Sequence, residues 1–396
     1  MPDDPLDIPD APASRGRRVI RRLLLGLLIV LVLIALFLGA LIAFSPTYRR
    51  MAQYGNSDIR DHEIFPTRAL RPAETSFQFN ENLISLDALQ ERVGDDVDIA
   101  STILNTPTVA FLVIQNDELL HESYYRGYER ASRVTVFSVS KAITTTLLGC
   151  AIRDGFISGL DAPVAKYIPE LASAGMDTIQ LKHLAQMTAG LNYREMEGNP
   201  FCLHARLYYG TDGDAMMMGL RGVRPPGQAF EYQSGATQLL ALCLDRALKP
   251  RTLTDYLQTT LWNPLGMEFP ASWSTDFADP GLEKAYCGIA MSAIDLAKIG
   301  RLMLRRGDWN GAQVLPENWV ELVTQRDTSE GSAENYQYGW WLLDPEEGDY
   351  RAAGHLGQYL YVNPKRNIII VRFGESTGQL NTAEWGLLLT ALARAL

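Results

Sequence analysis

This chain has few residues that could hold a metal or a nucleotide. Only five histidines and four cysteines occur in 396 residues. No Cys-x-x-Cys, His-Glu-x-x-His, Walker loop or dinucleotide fingerprint is found, so no metal or nucleotide cofactor is implied. A Gly-x-Ser-x-Gly elbow is also missing, which removes the usual support for a Ser-His-Asp triad drawn from His62, His121, His183 or His204. Lys and Arg number 36 against 46 Asp and Glu, a net charge of −10. The basic residues form no stripe with interleaved aromatics, which argues against a nucleic-acid partner. Cys150, Cys202, Cys243 and Cys287 are even in number, so an oxidising compartment would permit disulfides, but their spacing does not say which would pair. Cys150 and Cys243 sit in apolar, helix-like runs where buried free thiols are the expectation.

Long apolar runs are absent as well, with one exception. Residues 23–44 are apolar throughout, and as a helix they would measure about 33 Å, enough to cross a hydrocarbon core of roughly 30 Å. Arg15, Arg17, Arg18, Arg21 and Arg22 precede the run. The positive-inside rule then keeps the N-terminus in the cytoplasm and sends the remainder across. The apolar core exceeds that of a cleavable signal, and the small-x-small site Ala43-Phe44-Ser45 is followed by Pro46, so an uncleaved signal anchor embedded in the lipid bilayer is expected. Residues 1–22 are read as a cytoplasmic tail, and its first dozen residues, rich in Pro and Asp, as disordered. Residues 45–64 are polar and aperiodic and are read as a tether. Residues 65–396 form the globular domain, long enough for a substantial core.

Within that domain, residues 108–115 and 118–125 are strand-like and flank Asn116-Asp117, a pair suited to a tight hairpin turn. Residues 138–153 have helix length and a glycine stop at Gly155. A helical, loop-rich stretch follows to about residue 290, with 237–247 its clearest helix. Residues 336–343, 358–363 and 368–373 are strand-like again, 364–367 suit a turn, and 382–395 form an amphipathic helix. Strands, helices, strands and a helix in that order predict an α+β domain with an antiparallel sheet covered by helices. No internal repeat is present.

Chemistry concentrates at Ser138-Val139-Ser140-Lys141. A three-residue spacing at the start of a helix puts hydroxyl and amine on one face. Lys141 is the one lysine here with a serine three residues before it. A serine hydroxyl becomes a good nucleophile when a base within hydrogen-bond reach takes its proton, and a lysine serves if burial and the positive end of the helix dipole hold it uncharged. Further on, Tyr232-Gln233-Ser234 follows the Pro226-Gly227 turn, and His355-Leu356-Gly357-Gln358 precedes a strand-like run. Ser140 should face elsewhere on the helix. Tyr54-Gly55-Asn56 and Tyr361-Val362-Asn363 fall at the wrong places in the order and read as structural.

Ser-x-x-Lys, Tyr-x-Ser and His-x-Gly in this order resemble the penicillin-recognising serine hydrolases: class C β-lactamases, D-Ala-D-Ala carboxypeptidases, related esterases and the 6-aminohexanoate-dimer hydrolases. Similarity extends to residues 179–191 and 295–302. Residues 65–68, 283–288 and 309–311 tilt it toward the 6-aminohexanoate-dimer branch. The resemblance implies a β-lactamase/transpeptidase-like fold, with a five-stranded antiparallel sheet flanked by helices plus a mainly α-helical lobe and the site between them. It also implies Ser138 as nucleophile, Lys141 and Tyr232 as proton-transfer groups, and an oxyanion hole from the backbone N–H groups of Ser138 and Gln358. Gly357 would allow close approach of the strand edge, and His355 stands where β-lactamases carry a lysine. The function expected is a membrane-anchored, extracytoplasmic serine hydrolase cleaving a small ester or amide. The alternatives are a D-Ala-D-Ala carboxypeptidase or class C-like β-lactamase, and a non-catalytic ectodomain of the same fold. Trp340 and Trp341 are candidates for an apolar acyl pocket, although paired aromatics on a strand more often belong to core and rim.

Overall fold

The computed structural model describes residues 13–196 and 198–396; the stretch 1–12, expected to be disordered, lies outside them. The chain divides between Asn56 and Ser57 into two compact units. In the first, helix α1 (Ala13–Phe44) is continuous. Its stretch Val19–Phe44 is long and apolar enough to cross a membrane and none of it is buried. It starts ahead of residue 23, since arginine is a good helix former and Arg17, Arg21 and Arg22 extend the helix. The segment 45–64 departs from an irregular tether. Pro46 opens a second helix, α2 (Pro46–Tyr54), its fixed φ being suited to a first helical position. Arg49 reaches back to the last turn of α1, donating to the Ala43 carbonyl at 2.6 Å. Residues 57–64 belong to the second unit, where Ile59 and Asp61 are buried and the Ile59 carbonyl accepts from Thr135 N at 2.8 Å.

The second unit is built on two sheets. The strands are β1 (Thr67–Leu70), β2 (Asn80–Glu81), β3 (Thr108–Gln115), β4 (Glu118–Tyr124), β5 (Val134–Thr135), β6 (Ala271–Ser274), β7 (Ile289–Met291), a small ribbon β8 (Asp308–Trp309) and β9 (Ala312–Gln313), then β10 (Tyr336–Gln337), β11 (Trp340–Leu342), β12 (Tyr350–Gly354), β13 (Gln358–Asn363) and β14 (Ile368–Gly374). The larger sheet runs β10-β11-β12-β13-β14-β3-β4-β2 and the smaller β1-β6-β7-β5. Eight strands rather than five make up the larger sheet, because short pieces such as Asn80–Glu81 and Tyr336–Gln337 extend its edges. It is antiparallel except where β2 joins β4. Asn116 and Asp117 take φ of 55° and 64° in the β3–β4 turn, the left-handed pair a two-residue hairpin needs. The Asp117 carboxylate is gripped by Arg301 Nε and Nη2, both at 2.9 Å.

The helices are α3 (Leu86–Val93), α4 (Ile99–Asn105) and α5 (Val139–Arg153), the lobe helices α6 (Val164–Tyr167), α7 (Leu181–Ala185), α8 (Leu203–Tyr209), α9 (Gly213–Met218), α10 (Ser234–Leu248) and α11 (Leu253–Leu257), then α12 (Ala293–Leu304), α13 (Glu317–Thr324) and α14 (Thr382–Ala395). Strand side chains alternate between faces. Phe111, Val113, Tyr359, Tyr361, Ile368 and Ile370 pack with Leu89, Ile99, Trp385 and Leu389 of α3, α4 and α14. Leu360 and Ile369 point the other way, toward α12, where a Cβ on Gly300 would come within 2.8 Å of Ile369 Cγ2 and 2.9 Å of Leu360 Cδ1. Glycine there lets the helix seat closely on the sheet. The expected strand 336–343 breaks at Tyr338 and Gly339, with φ of 48° and 93°. The break presses Gly339 onto α5, where a Cβ would lie 2.7 Å from Ala142 N.

Candidate active site

Strand β5 pairs with β7, and Val136 continues the contact by donating to the Ile289 carbonyl at 2.9 Å. Phe137 then turns the chain with φ of 46°, a left-handed conformation unusual for an aromatic residue. Ser138 follows as the cap residue of α5. The helical spacing sets Lys141 one turn on, and its Nζ stands 2.8 Å from Ser138 Oγ. The Lys141 side chain is buried, at 1% exposure, and its second partner is the Tyr286 carbonyl at 3.1 Å. The amine is thus held by a hydroxyl and a main-chain carbonyl, and no carboxylate pairs with it among the described residues. With the amine uncharged, the same 2.8 Å contact can run from Oγ–H to the nitrogen lone pair. Ser140 is engaged elsewhere, its Oγ accepting from Ile289 N at 3.2 Å.

Tyr232 reaches this place from the helical lobe. The Pro226-Gly227 turn is fixed by Gly227 N donating to the Thr188 carbonyl at 2.9 Å, and Glu231 N donates to the Met187 carbonyl at the same distance. Gln233 is buried, and its amide donates to the carbonyls of Leu191 at 3.1 Å and Tyr193 at 2.7 Å. Ser234 N, at the start of α10, donates to Glu195. These contacts deliver the Tyr232 ring to 4.9 Å from Lys141 Nζ. The Tyr286 ring lies on the same amine, its centroid 5.7 Å from Lys141 Nζ, and burial pushes the Tyr286 phenol well above its ordinary range.

The third stretch forms the corner between β12 and β13. Leu356 and Gly357 take φ of 62° and 86°, and Gly354 pairs with Gln358 across the corner. A Cβ on Gly354 would lie 2.3 Å from the Val136 carbonyl and 3.3 Å from Ser138 N, so this strand end abuts the backbone of the turn that carries Ser138. The Gly357 carbonyl accepts from the buried Arg372 Nη1 at 2.8 Å. The Gln358 side chain is buried, donating to the Gly374 carbonyl at 2.7 Å and accepting from Gly374 N at 3.1 Å. His355 is exposed, with its ring edge-to-face against Phe137 at 5.5 Å.

The structure therefore brings Ser138, Lys141 and Tyr232 together and sets the 355–358 corner beside the Ser138 turn. The other histidines have partners of their own: His62 Thr135, His121 the Ile84 carbonyl and Ser123, His183 Gln180 N, and His204 Tyr193. Tyr361 and Asn363 are committed to Asp349 and Glu347. Among the described residues no group of three His, Cys, Asp or Glu side chains is arranged to hold a metal, and the four cysteines are free and buried. Sequence reasoning missed the Tyr286 carbonyl, the anchoring by Gln233 and Tyr336 beside Tyr232, and it weighed Trp341 only as a pocket wall. A main-chain carbonyl has no letter, but Gln233 lies inside the Tyr-x-Ser motif itself.

The beta-lactamase family profile matches residues 97–392. A 6-aminohexanoate-dimer hydrolase of Paenarthrobacter ureafaciens is 31% identical over 344 residues, covering 82% of this chain and 85% of that protein. A solved structure from Bacillus anthracis, provisionally named a 6-aminohexanoate-dimer hydrolase, superposes with a TM-score of 0.74 at 25% identity, covering 85% of this chain and 91% of that one. A class C beta-lactamase shares the fold at a TM-score of 0.57 and 17% identity, covering 79% of this chain and 98% of its own.

Proposed function

This chain belongs to the beta-lactamase family and is a serine hydrolase, and from that premise we propose that it cleaves a small ester or amide through an acyl-enzyme on Ser138. The observation that carries the reading is the 2.8 Å contact between Ser138 Oγ and the buried Lys141 Nζ, with the Tyr232 ring 4.9 Å from the same nitrogen. Lys141 takes the hydroxyl proton as Oγ bonds to the carbonyl carbon. Tyr232 hands a proton to the departing alcohol or amine as its bond to that carbon breaks and is reprotonated from Lys141; water then attacks the acyl carbon, and the proton it loses returns to Ser138 Oγ as the acyl bond breaks. Such proton transfers are worth typically about 10²–10⁴ in rate. The backbone N–H groups of Ser138 and Gln358 receive the developing oxyanion, Gly357 allows the close approach, and His355 lies at the substrate rim. Helix α1 is the anchor that holds the catalytic unit on the outer side of a membrane.

The test uses the full-length protein in detergent micelles with esters, linear amides and benzylpenicillin. Ser138-dependent turnover of esters or amides without lasting penicillin labelling is expected, and equal turnover by wild type and Ser138→Ala would refute the mechanism. A reporter fused after Leu396 should be active only outside the cytoplasm; activity inside would remove the anchor topology.

A further inference from the structure

We propose that Trp341 is a positioning residue for Tyr232 and that its indole sets a preference for leaving groups carrying apolar surface. The inference rests on the reading in which Tyr232 protonates the leaving group. Trp340 and Trp341 are adjacent on β11, so the two-residue period of a strand sends them to opposite faces. Trp340 is fully buried and packs edge-on against Tyr350 at 5.3 Å. Trp341 is half-buried and lies over Tyr232, ring centroids 5.9 Å apart and planes inclined by 28°. Tyr336 closes the group, edge-on to Tyr232 at 5.8 Å and to Trp341 at 4.9 Å. The Trp341 backbone is fixed on both sides, paired with Tyr336 of β10 and Arg351 of β12.

Polar contacts fix the main chain around Tyr232 through Gln233 and Glu231. They do not fix the ring, because the Tyr232 hydroxyl makes no hydrogen bond among the described residues. The angle at which the phenol faces Lys141 is therefore set by aromatic packing, in which stacked and edge-on rings have defined minima. The half-buried indole stacks on the phenol ring, beside which the departing group must sit to receive its proton. An aliphatic or aromatic leaving group would cover that surface; a small one would leave it wet.

The test measures kcat and KM with amides that share one acyl group and differ in the amine released, from methylamine to butylamine to aniline. Wild type, Trp341→Ala, Trp341→Leu, Trp341→Phe and Ser138→Ala are compared, each with a thermal melt. Trp341→Ala should lower kcat by about tenfold or more, part of the roughly 10²–10⁴ available from proton transfer, and should flatten the rise of kcat/KM with amine size. Trp341→Leu, which keeps apolar bulk without a plane to stack, should lower kcat yet retain the rise, and Trp341→Phe should restore both. If Trp341→Ala does not fold, the Leu and Phe variants carry the comparison. Ser138-dependent turnover with unchanged kcat and an unchanged amine profile in Trp341→Leu and Trp341→Ala overturns this inference alone. Turnover that survives Ser138→Ala, or none by wild type, removes the reading beneath it as well.

Discussion

Replacing Gly357 by alanine should separate the local backbone requirement of the 355–358 corner from ordinary turn strain. A Cβ at this position would lie 2.1 Å from Arg372 Nη1. The guanidinium cannot retreat, because it is fully buried and held by Thr108 Oγ1 at 3.1 Å, the Gly357 carbonyl at 2.8 Å and the Ser376 carbonyl at 2.9 Å. It also lies over the Trp385 ring at 4.4 Å. Relief must come from the corner itself, which has to move by about 1 Å, a misplacement able to cost roughly 10² in rate. That loss corresponds to about 2.7 kcal/mol of transition-state stabilisation, comparable with removal of one oxyanion donor.

The control is Gly348→Ala. Gly348 also takes a positive φ, 66°, but a Cβ there would meet nothing within 4 Å, so it carries the backbone penalty of about 1 kcal/mol and little else. Thermal melts and ester kinetics on both variants separate the terms. Both should melt a few degrees low, and Gly357→Ala alone should lose kcat. A Gly357→Ala enzyme with wild-type kcat would refute the argument that the corner is held rigidly against Arg372.

Three further outcomes follow from packing and charge. Burial pushes the Asp61 carboxyl, bonded to Tyr208, up to about 6; its folded value exceeds its unfolded one, so its contribution to stability is full below about pH 4 and is lost as pH rises through 6. Melting curves should show wild type losing up to about 3 kcal/mol relative to Asp61→Asn across that window, and parallel pH profiles would contradict it. Gly300→Ala should overpack α12 against Ile369 and Leu360 and cost about 1–3 kcal/mol in denaturant unfolding with kcat unchanged; an unaltered midpoint would show that the sheet yields. Burial raises the thiols of Cys150 to about 12 and Cys287 to about 11 and pushes that of Cys243 up as well, so a thiol reagent should leave these three unmodified in the native protein and reach all four cysteines after denaturation under non-reducing conditions. Fewer than four would reveal a disulfide.

The features legible in the sequence were those that depend on local spacing. Ser138 and Lys141 are three residues apart on one helix, so their contact follows from helical geometry once α5 exists. Asn116-Asp117 announces its turn because few residue pairs accept two left-handed conformations. The break at Tyr338-Gly339 was not legible, since it answers to the backbone of α5 two hundred residues earlier in the chain. Nor was the helix Pro46–Tyr54, too short and too charged to show a period. Neighbouring tryptophans look alike as letters; the pairing of Trp341 with Tyr336 and Arg351 decides which one turns toward Tyr232.

Two of the segments that resembled the family, 295–302 and 283–288, brace the elements that carry Ser138, Lys141 and Tyr232. Asp295 accepts from Glu268 N at 2.6 Å and Phe269 N at 2.9 Å and pairs with the buried Lys298, fastening the approach to β6, whose partner β7 pairs with β5 ahead of Ser138. Glu283 is held by Arg68 and Thr254. Gln238, on the helix that begins just after Tyr232, donates to the Glu283 carbonyl at 2.8 Å and accepts from Ala285 N at 3.0 Å. The next residue, Tyr286, presents the carbonyl that holds Lys141. One buried amide thus ties the Tyr232 helix to the acceptor of the Lys141 amine, so a shift of α10 alters the phenol and the amine together.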